Sequence, residues 1–132
     1  MSQLSFLLEG VYVSRTKKRG RGVFCKVPIE AGTLIEMAPV IVLNSEERKL
    51  IDQTLLHDYI FEWGDSRQQC CVGLGIISIY NHAYDSNCEY EMHYKKEVIT
   101  IKAVRHIPKG EELFINYNGD WNDNKKVWFE TK

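Results

Sequence analysis

The chain has 132 residues, 44% of them hydrophobic, and a formal net charge of −1. That length fits one domain, and that apolar content supports a packed core and argues against disorder. The near-neutral balance excludes a global field that would draw the protein onto nucleic acid or an acidic membrane, and no apolar stretch approaches a membrane span.

Residues 1–10 lack a basic start and a cleavage-like end, so no secretory signal is expected. Val11-Tyr12-Val13 reads as a short strand, followed by a basic, glycine-containing loop from Arg15 to Gly22. Val23-Phe24-Cys25 is β-prone again and is bounded by Pro28. After a turn at Ala31-Gly32, Thr33–Glu36 and Val40–Leu43 read as two strands separated by Pro39. Asn44 or Ser45 is placed to cap a short helix from Glu46, with Leu50 and Ile51 as its apolar contacts. Leu55–Trp63 is ambiguous by periodicity. Gly73–Tyr80 is an apolar, strand-like run that stops at Asn81-His82. Cys88–Tyr94 and Glu97–Ala103 suggest a hairpin turned at Lys95-Lys96, the second arm alternating as strands do. Pro108-Lys109-Gly110 is a turn, and Glu112–Tyr117 is a short strand ending in a polar loop. The tail, 122–132, reads either as a docking helix or as partly disordered. Many short strands with one or two short helices indicate a mostly β, α+β domain.

There are four cysteines, Cys25, Cys70, Cys71 and Cys88. Their spacing fits no metal site, and buried free thiols in a reducing compartment are the expectation. No metal is expected. A thiol enzyme built on Cys88 with His82 or His93 is a distant alternative, because nothing in the sequence orients such a pair. Gly20-Arg21-Gly22 is not a dinucleotide fingerprint, which needs a third glycine and a following helix.

Four segments carry the functional signal together. They are Arg19-Gly20-Arg21-Gly22-Val23-Phe24, Tyr59-Ile60-Phe61, Ile79-Tyr80-Asn81-His82 with Asn87, and Pro108-Lys109-Gly110-Glu111-Glu112 through Tyr117. Each alone is compatible with ordinary turns, caps and core packing. In this order they resemble a SET domain, over about Val11 to Trp121, and the compact length is similar to the minimal viral and bacterial members. The resemblance implies one SET-like domain over 1–132, with a core of about 11–121 and a tail of 122–132. It implies several short sheets, one or two short helices and a threaded C-terminal segment.

The resemblance also implies methyl transfer from S-adenosylmethionine to a lysine side chain of a protein. Tyr117 would be the catalytic tyrosine. Arg19, Gly20, Arg21 and Gly22 would approach the cofactor, Asn81 would bind its amino-acid part, and His82 and Trp121 would lie by the adenine. Tyr59, Tyr80 and Ile115 would line the lysine channel, where desolvation favours the neutral amine. The partner would be a protein with an exposed lysine, such as a basic or histone-like tail, with no direct nucleic acid or membrane contact. A homodimer is implied by the viral members. The expected location is cytoplasmic, or nuclear if the source is eukaryotic or viral.

Three departures from the family pattern stand out. Ala83-Tyr84-Asp85-Ser86 precedes Asn87, Ile115 occupies a position commonly Phe or Tyr, and Asn118 separates Tyr117 from Gly119. Ile115 leaves the number of methyl groups added open. A non-catalytic SET-fold module that binds a protein tail is the alternative.

Overall fold

A computed structural model describes residues 3–66 and 68–118. Among these residues, ten strands form two sheets, with one short α-helix beside them. In chain order they are β1 (Phe6–Leu7), β2 (Val11–Arg15), β3 (Arg21–Cys25), β4 (Leu34–Leu43), α1 (Ser45–Ile51), β5 (Ile60–Trp63), β6 (Gln69–Gly73), β7 (Asn81–His82), β8 (Cys88–His93), β9 (Val98–Ala103) and β10 (Glu112–Ile115). The larger sheet runs β5-β6-β4-β9-β8, with β1 also paired to β4; the smaller runs β2-β3-β10-β7. The mostly β architecture is the one the sequence predicts.

Several local expectations change. The two strands either side of Pro39 are one ten-residue strand, β4. Pro39 lies where pairing passes from β9, which covers Leu34 to Pro39, to β6, which covers Val40 to Leu43. A residue without an N–H is tolerated at such a handover. The run Gly73–Tyr80 is not one strand. Its first glycine ends β6, Gly75 turns the chain at φ +70, and a 3-10 turn spans Ile77–Ile79. Ile77 folds back onto Gly73 so closely that a Cβ there would collide with it. Leu55–Trp63 resolves into a 3-10 turn over Leu55–Tyr59 and then β5.

Asn44 is the cap of α1, in a reciprocal capping box with Glu47. No residue of this helix is buried and Leu50 is 68% exposed, so the expected apolar contacts of Leu50 do not form. The core joins both sheets. Val23, Leu113 and Ile115 from the smaller pack with Ile35, Ile99 and Ile101 from the larger, and with Ile77 and Tyr80 from the connection between them. No described helix is long and apolar enough to cross a membrane.

Candidate functional site

Strand β10 is the seam that assembles the site. Its first half pairs antiparallel with β3, Glu112 opposite Phe24 and Leu113 opposite Val23. Its second half pairs parallel with β7, Phe114 opposite Asn81 and Ile115 opposite His82. One four-residue strand therefore brings the glycine loop, the Asn-His pair and the chain leading to Tyr117 to one place.

A two-position ladder is too short to hold β7 and β10 by itself, and side chains complete the work. Asn87 makes three hydrogen bonds to this seam. It donates to the Glu112 carbonyl (2.8 Å) and the Glu111 carboxylate (3.0 Å), and accepts from the Phe114 N–H (2.8 Å). Asn116 donates to the Tyr84 carbonyl at 3.1 Å and accepts the Asn118 N–H at 2.9 Å. That second bond is a local turn of the kind Asn favours, and it sets the course of the chain after Tyr117 where Asn118 departs from the family pattern.

The Asn81 amide donates to the Arg21 carbonyl at 2.9 Å and to the Glu112 carboxylate at 2.8 Å. Both of its protons are thus used within the chain. Its Oδ1 is the acceptor left to offer a ligand, which suits an ammonium group. Glu112 also faces the Arg19 guanidinium at 3.6 Å, and that guanidinium lies over the Phe114 ring, 5.1 Å from its centroid. Half of the Arg19 side chain stays exposed, so its remaining N–H groups can meet a carboxylate. Gly20, at φ +72, has no atom within 4 Å of where a Cβ would stand, leaving room at the loop. Gly22 is different: a Cβ there would sit 2.6 Å from the Glu112 carboxylate and 3.0 Å from Thr16. Glycine is needed at that position for the chain's own packing. An acceptor, a cation and an open glycine loop suit a ligand bearing an α-amino acid.

Tyr117 follows β10. Its hydroxyl donates to the Tyr80 carbonyl at 2.8 Å, and its N–H donates to His82 Nδ1 at 3.0 Å. The second bond assigns Nδ1 as the unprotonated ring nitrogen. The His82 ring also packs edge-on to Tyr84 (4.5 Å) and tilted to Tyr117 (5.1 Å). It is therefore turned toward the Tyr117 loop. Burial, then the neighbouring Tyr59 phenol and Glu112 carboxylate, pushes the Tyr117 phenol up to about 12. The residue as a whole keeps 38% of its surface exposed, so a partly open ring carries a protected, protonated hydroxyl.

Tyr59 is 36% exposed, as a wall residue would be, and its phenol is near enough to help raise the Tyr117 phenol. Tyr80 does not present its ring to that space. It is 1% exposed, and its hydroxyl donates into the core to Glu36 at 2.9 Å; its carbonyl is what it gives to the site. Ile115 is fully buried beside His82. Trp121 and the tail lie outside the described residues. Asn87, Glu112 and Glu36 were not among the expected site residues. Asn87 and Glu112 already stood in the recognised motifs, and a lone carboxylate inside the apolar run Leu34-Ile35-Glu36-Met37 was the available sign of Glu36.

All four cysteines are buried and free. Burial pushes Cys71 up to about 12 and Cys88 higher still, the reverse of what a thiolate nucleophile needs. His93 is bonded to Thr100 at 2.9 Å. The thiol-enzyme alternative is therefore set aside. No cluster of three or more metal-ligating side chains occurs among the described residues.

These features define a fold class in which a glycine loop, an Asn-His strand and a terminal tyrosine meet at one seam. The family model described as the SET domain matches residues 20–118. A Schizosaccharomyces pombe protein, "Histone-lysine N-methyltransferase, H3 lysine-37 specific", is 36% identical over 116 residues, covering 87% of this chain and 74% of that protein. Human curated relatives are far longer, and the chain spans only 4% and 2% of two of them. Among solved structures, a candidate histone methyltransferase of Plasmodium falciparum superposes with a TM-score of 0.66 at 27% identity, covering 84% of this chain and 99% of that one. A chain of ctPRC2 solved with S-adenosylmethionine shares the fold, with a TM-score of 0.67 at 24% identity over 82% of this chain and 15% of that one. The chain belongs to the SET-domain family of protein-lysine methyltransferases.

Proposed function

We propose that this chain methylates the side-chain amine of lysine in a protein substrate, using S-adenosylmethionine bound at the β3–β10–β7 seam, with Tyr117 as its catalytic residue. The observation that carries the reading is the Tyr117 hydroxyl, held at 2.8 Å on the Tyr80 carbonyl beside the Asn81-His82 strand. S-adenosylmethionine supplies an electrophilic methyl group on a sulfonium. Asn81 Oδ1 accepts from its α-ammonium, the Arg19 guanidinium meets its carboxylate, and the backbone at Gly20, Arg21 and Gly22 borders it. Trp121 and His82 are proposed for the adenine side, His82 through its backbone because its ring is taken up by Tyr117 and Tyr84.

The protein needs no nucleophile of its own, because the lysine amine is one once neutral. What it contributes is orientation, which can supply about 7 kcal/mol or more of the barrier. Tyr59 and the Tyr117 ring flank the entering lysine stem, and the loss of water between them disfavours its ammonium form. The Tyr117 phenol stays protonated across the working pH range, so it acts as a fixed dipole at the amine and not as a base. The tail of a histone is the proposed substrate class, on the strength of what the fission-yeast relative is named for, and a nuclear location goes with it.

The test mixes purified protein with labelled S-adenosylmethionine and a panel of lysine-rich proteins, histones included. Transfer by the wild type and its loss in Tyr117→Phe are expected. No transfer to any protein, or full transfer by Tyr117→Phe, would overturn the reading. Calorimetry with S-adenosylhomocysteine separates the alternative of a non-catalytic tail-binding module, for which no binding is expected.

A further inference from the structure

Glu36 is a buried carboxylate on β4, inside the larger sheet, and no role described so far uses it. A buried charge of this kind is costly unless its oxygens are satisfied. Both are: Oε2 accepts the Ile76 N–H at 2.9 Å and Oε1 accepts the Tyr80 hydroxyl at 2.9 Å. Those two donors stand at either end of one segment. Ile76 precedes the 3-10 turn Ile77–Ile79 and has no side-chain cap, and Tyr80 follows it directly. One carboxylate therefore ties together both ends of residues 76–80. A Cβ on Gly75 would lie 2.6 Å from Glu36 Oε2, so the backbone there is fitted closely around this carboxylate.

The last peptide of that tied segment bears the Tyr80 carbonyl, the acceptor of the Tyr117 hydroxyl. We propose that Glu36 is a positioning residue for methyl transfer: by fixing Ile76 and the Tyr80 ring, it fixes the Tyr80 carbonyl and through it the direction of the Tyr117 hydroxyl. This rests on the reading of Tyr117 as the catalytic hydroxyl. The contribution is geometric, because Glu36 lies in the core and touches no reacting atom. Tyr80 carries the effect in two parts, its hydroxyl toward Glu36 and its carbonyl toward Tyr117.

Two measurements test it. The first compares methyl-transfer kinetics of the wild type, Glu36→Gln, Tyr80→Phe and the double variant on one lysine substrate, beside their affinity for S-adenosylhomocysteine. Each single variant is expected to lower kcat about tenfold to a hundredfold, as small misplacements at a reacting centre do. The double variant should be no worse than either single one, with S-adenosylhomocysteine affinity held within about twofold. The second places 3-fluorotyrosine at position 117 and follows its fluorine signal against pH, which needs no turnover. Donation to the Tyr80 carbonyl favours the neutral phenol, so loosening that bond lowers the titration midpoint. A lower midpoint in Glu36→Gln and Tyr80→Phe is expected.

An unmoved midpoint overturns the proposal even if kcat falls, since lost packing alone would give that pattern. An unmoved kcat overturns it too. Should Glu36→Gln fail to fold, Tyr80→Phe decides, because it removes a single oxygen. A wild type that transfers no methyl group sinks the proposed function, and the fluorine titration still decides the link between Glu36 and Tyr117.

Discussion

The two sheets of this protein are held by different forces. In the larger, β8 and β9 pair at six successive positions, Cys88 to His93 against Val98 to Ala103, and β9 buries Val98, Ile99, Thr100, Ile101 and Ala103. Backbone ladder and apolar burial suffice there. In the smaller, β7 and β10 meet at two positions only, and Asn87, Asn81, Asn116 and Glu112 supply by side chain what the ladder lacks. Long ladders make a rigid base and use up the backbone groups between the paired strands. A short ladder braced by amides leaves loop backbone, an Asn oxygen and a partly exposed tyrosine ring outside the ladder.

Substitutions can break that division or sharpen it. The largest effect is expected beside the smaller sheet: Tyr117→Phe should lower kcat about 10²- to 10³-fold, with thermal unfolding nearly unchanged. A large loss of stability would show that Tyr117 braces the fold instead. Next is Ile101→Ala in β9, a fully buried side chain. It should cost about 2–5 kcal/mol in denaturant unfolding while the folded enzyme keeps its kcat. Asn87→Ala should fall between these in character. It strips two hydrogen bonds from β10 and one from Glu111 just before it and leaves buried groups unpaired, costing about 1–3 kcal/mol, and S-adenosylhomocysteine affinity should weaken with it. If affinity held while stability fell, the seam would be scaffold alone.

The larger sheet was more legible in the sequence than the seam, for a physical reason. The alternation Val98-Ile99-Thr100-Ile101 follows from local geometry, and the cap at Asn44 is written in Asn44 and Glu47. β7 has no such signature. It is two residues long, and it is a strand only because Phe114 and Ile115 arrive beside it from more than thirty positions further on. No window of sequence contains that pairing; only the order of the motifs gave it away. Tyr80 shows the remaining gap. Its place next to Asn81 brings its carbonyl to the Tyr117 hydroxyl, but its side chain faces the opposite way, to Glu36. Which half served the site depended on Glu36, forty-four positions earlier.

Glu36 is also where the division between the sheets is weakest, since an ionisable group of the larger sheet reaches toward the smaller. Burial raises its pKa above the usual 4.5, against the opposing pull of the Ile76 and Tyr80 hydrogen bonds. The sign of the linkage follows. With the folded value above the unfolded one, both states are protonated below pH 4.5 and the contribution is fully present. As pH rises, the unfolded chain ionises first, and stability is lost until the folded value is passed. This group alone can give a slope of at most about 1.4 kcal/mol per pH unit. Glu36→Gln cannot ionise, so denaturant midpoints measured from pH 4.5 upward should decline less in that variant than in the wild type. Parallel declines would mean that the two hydrogen bonds offset burial. Glu36 would then be held as a contented carboxylate, and its place in the apolar sheet would cost the fold nothing that pH can reveal.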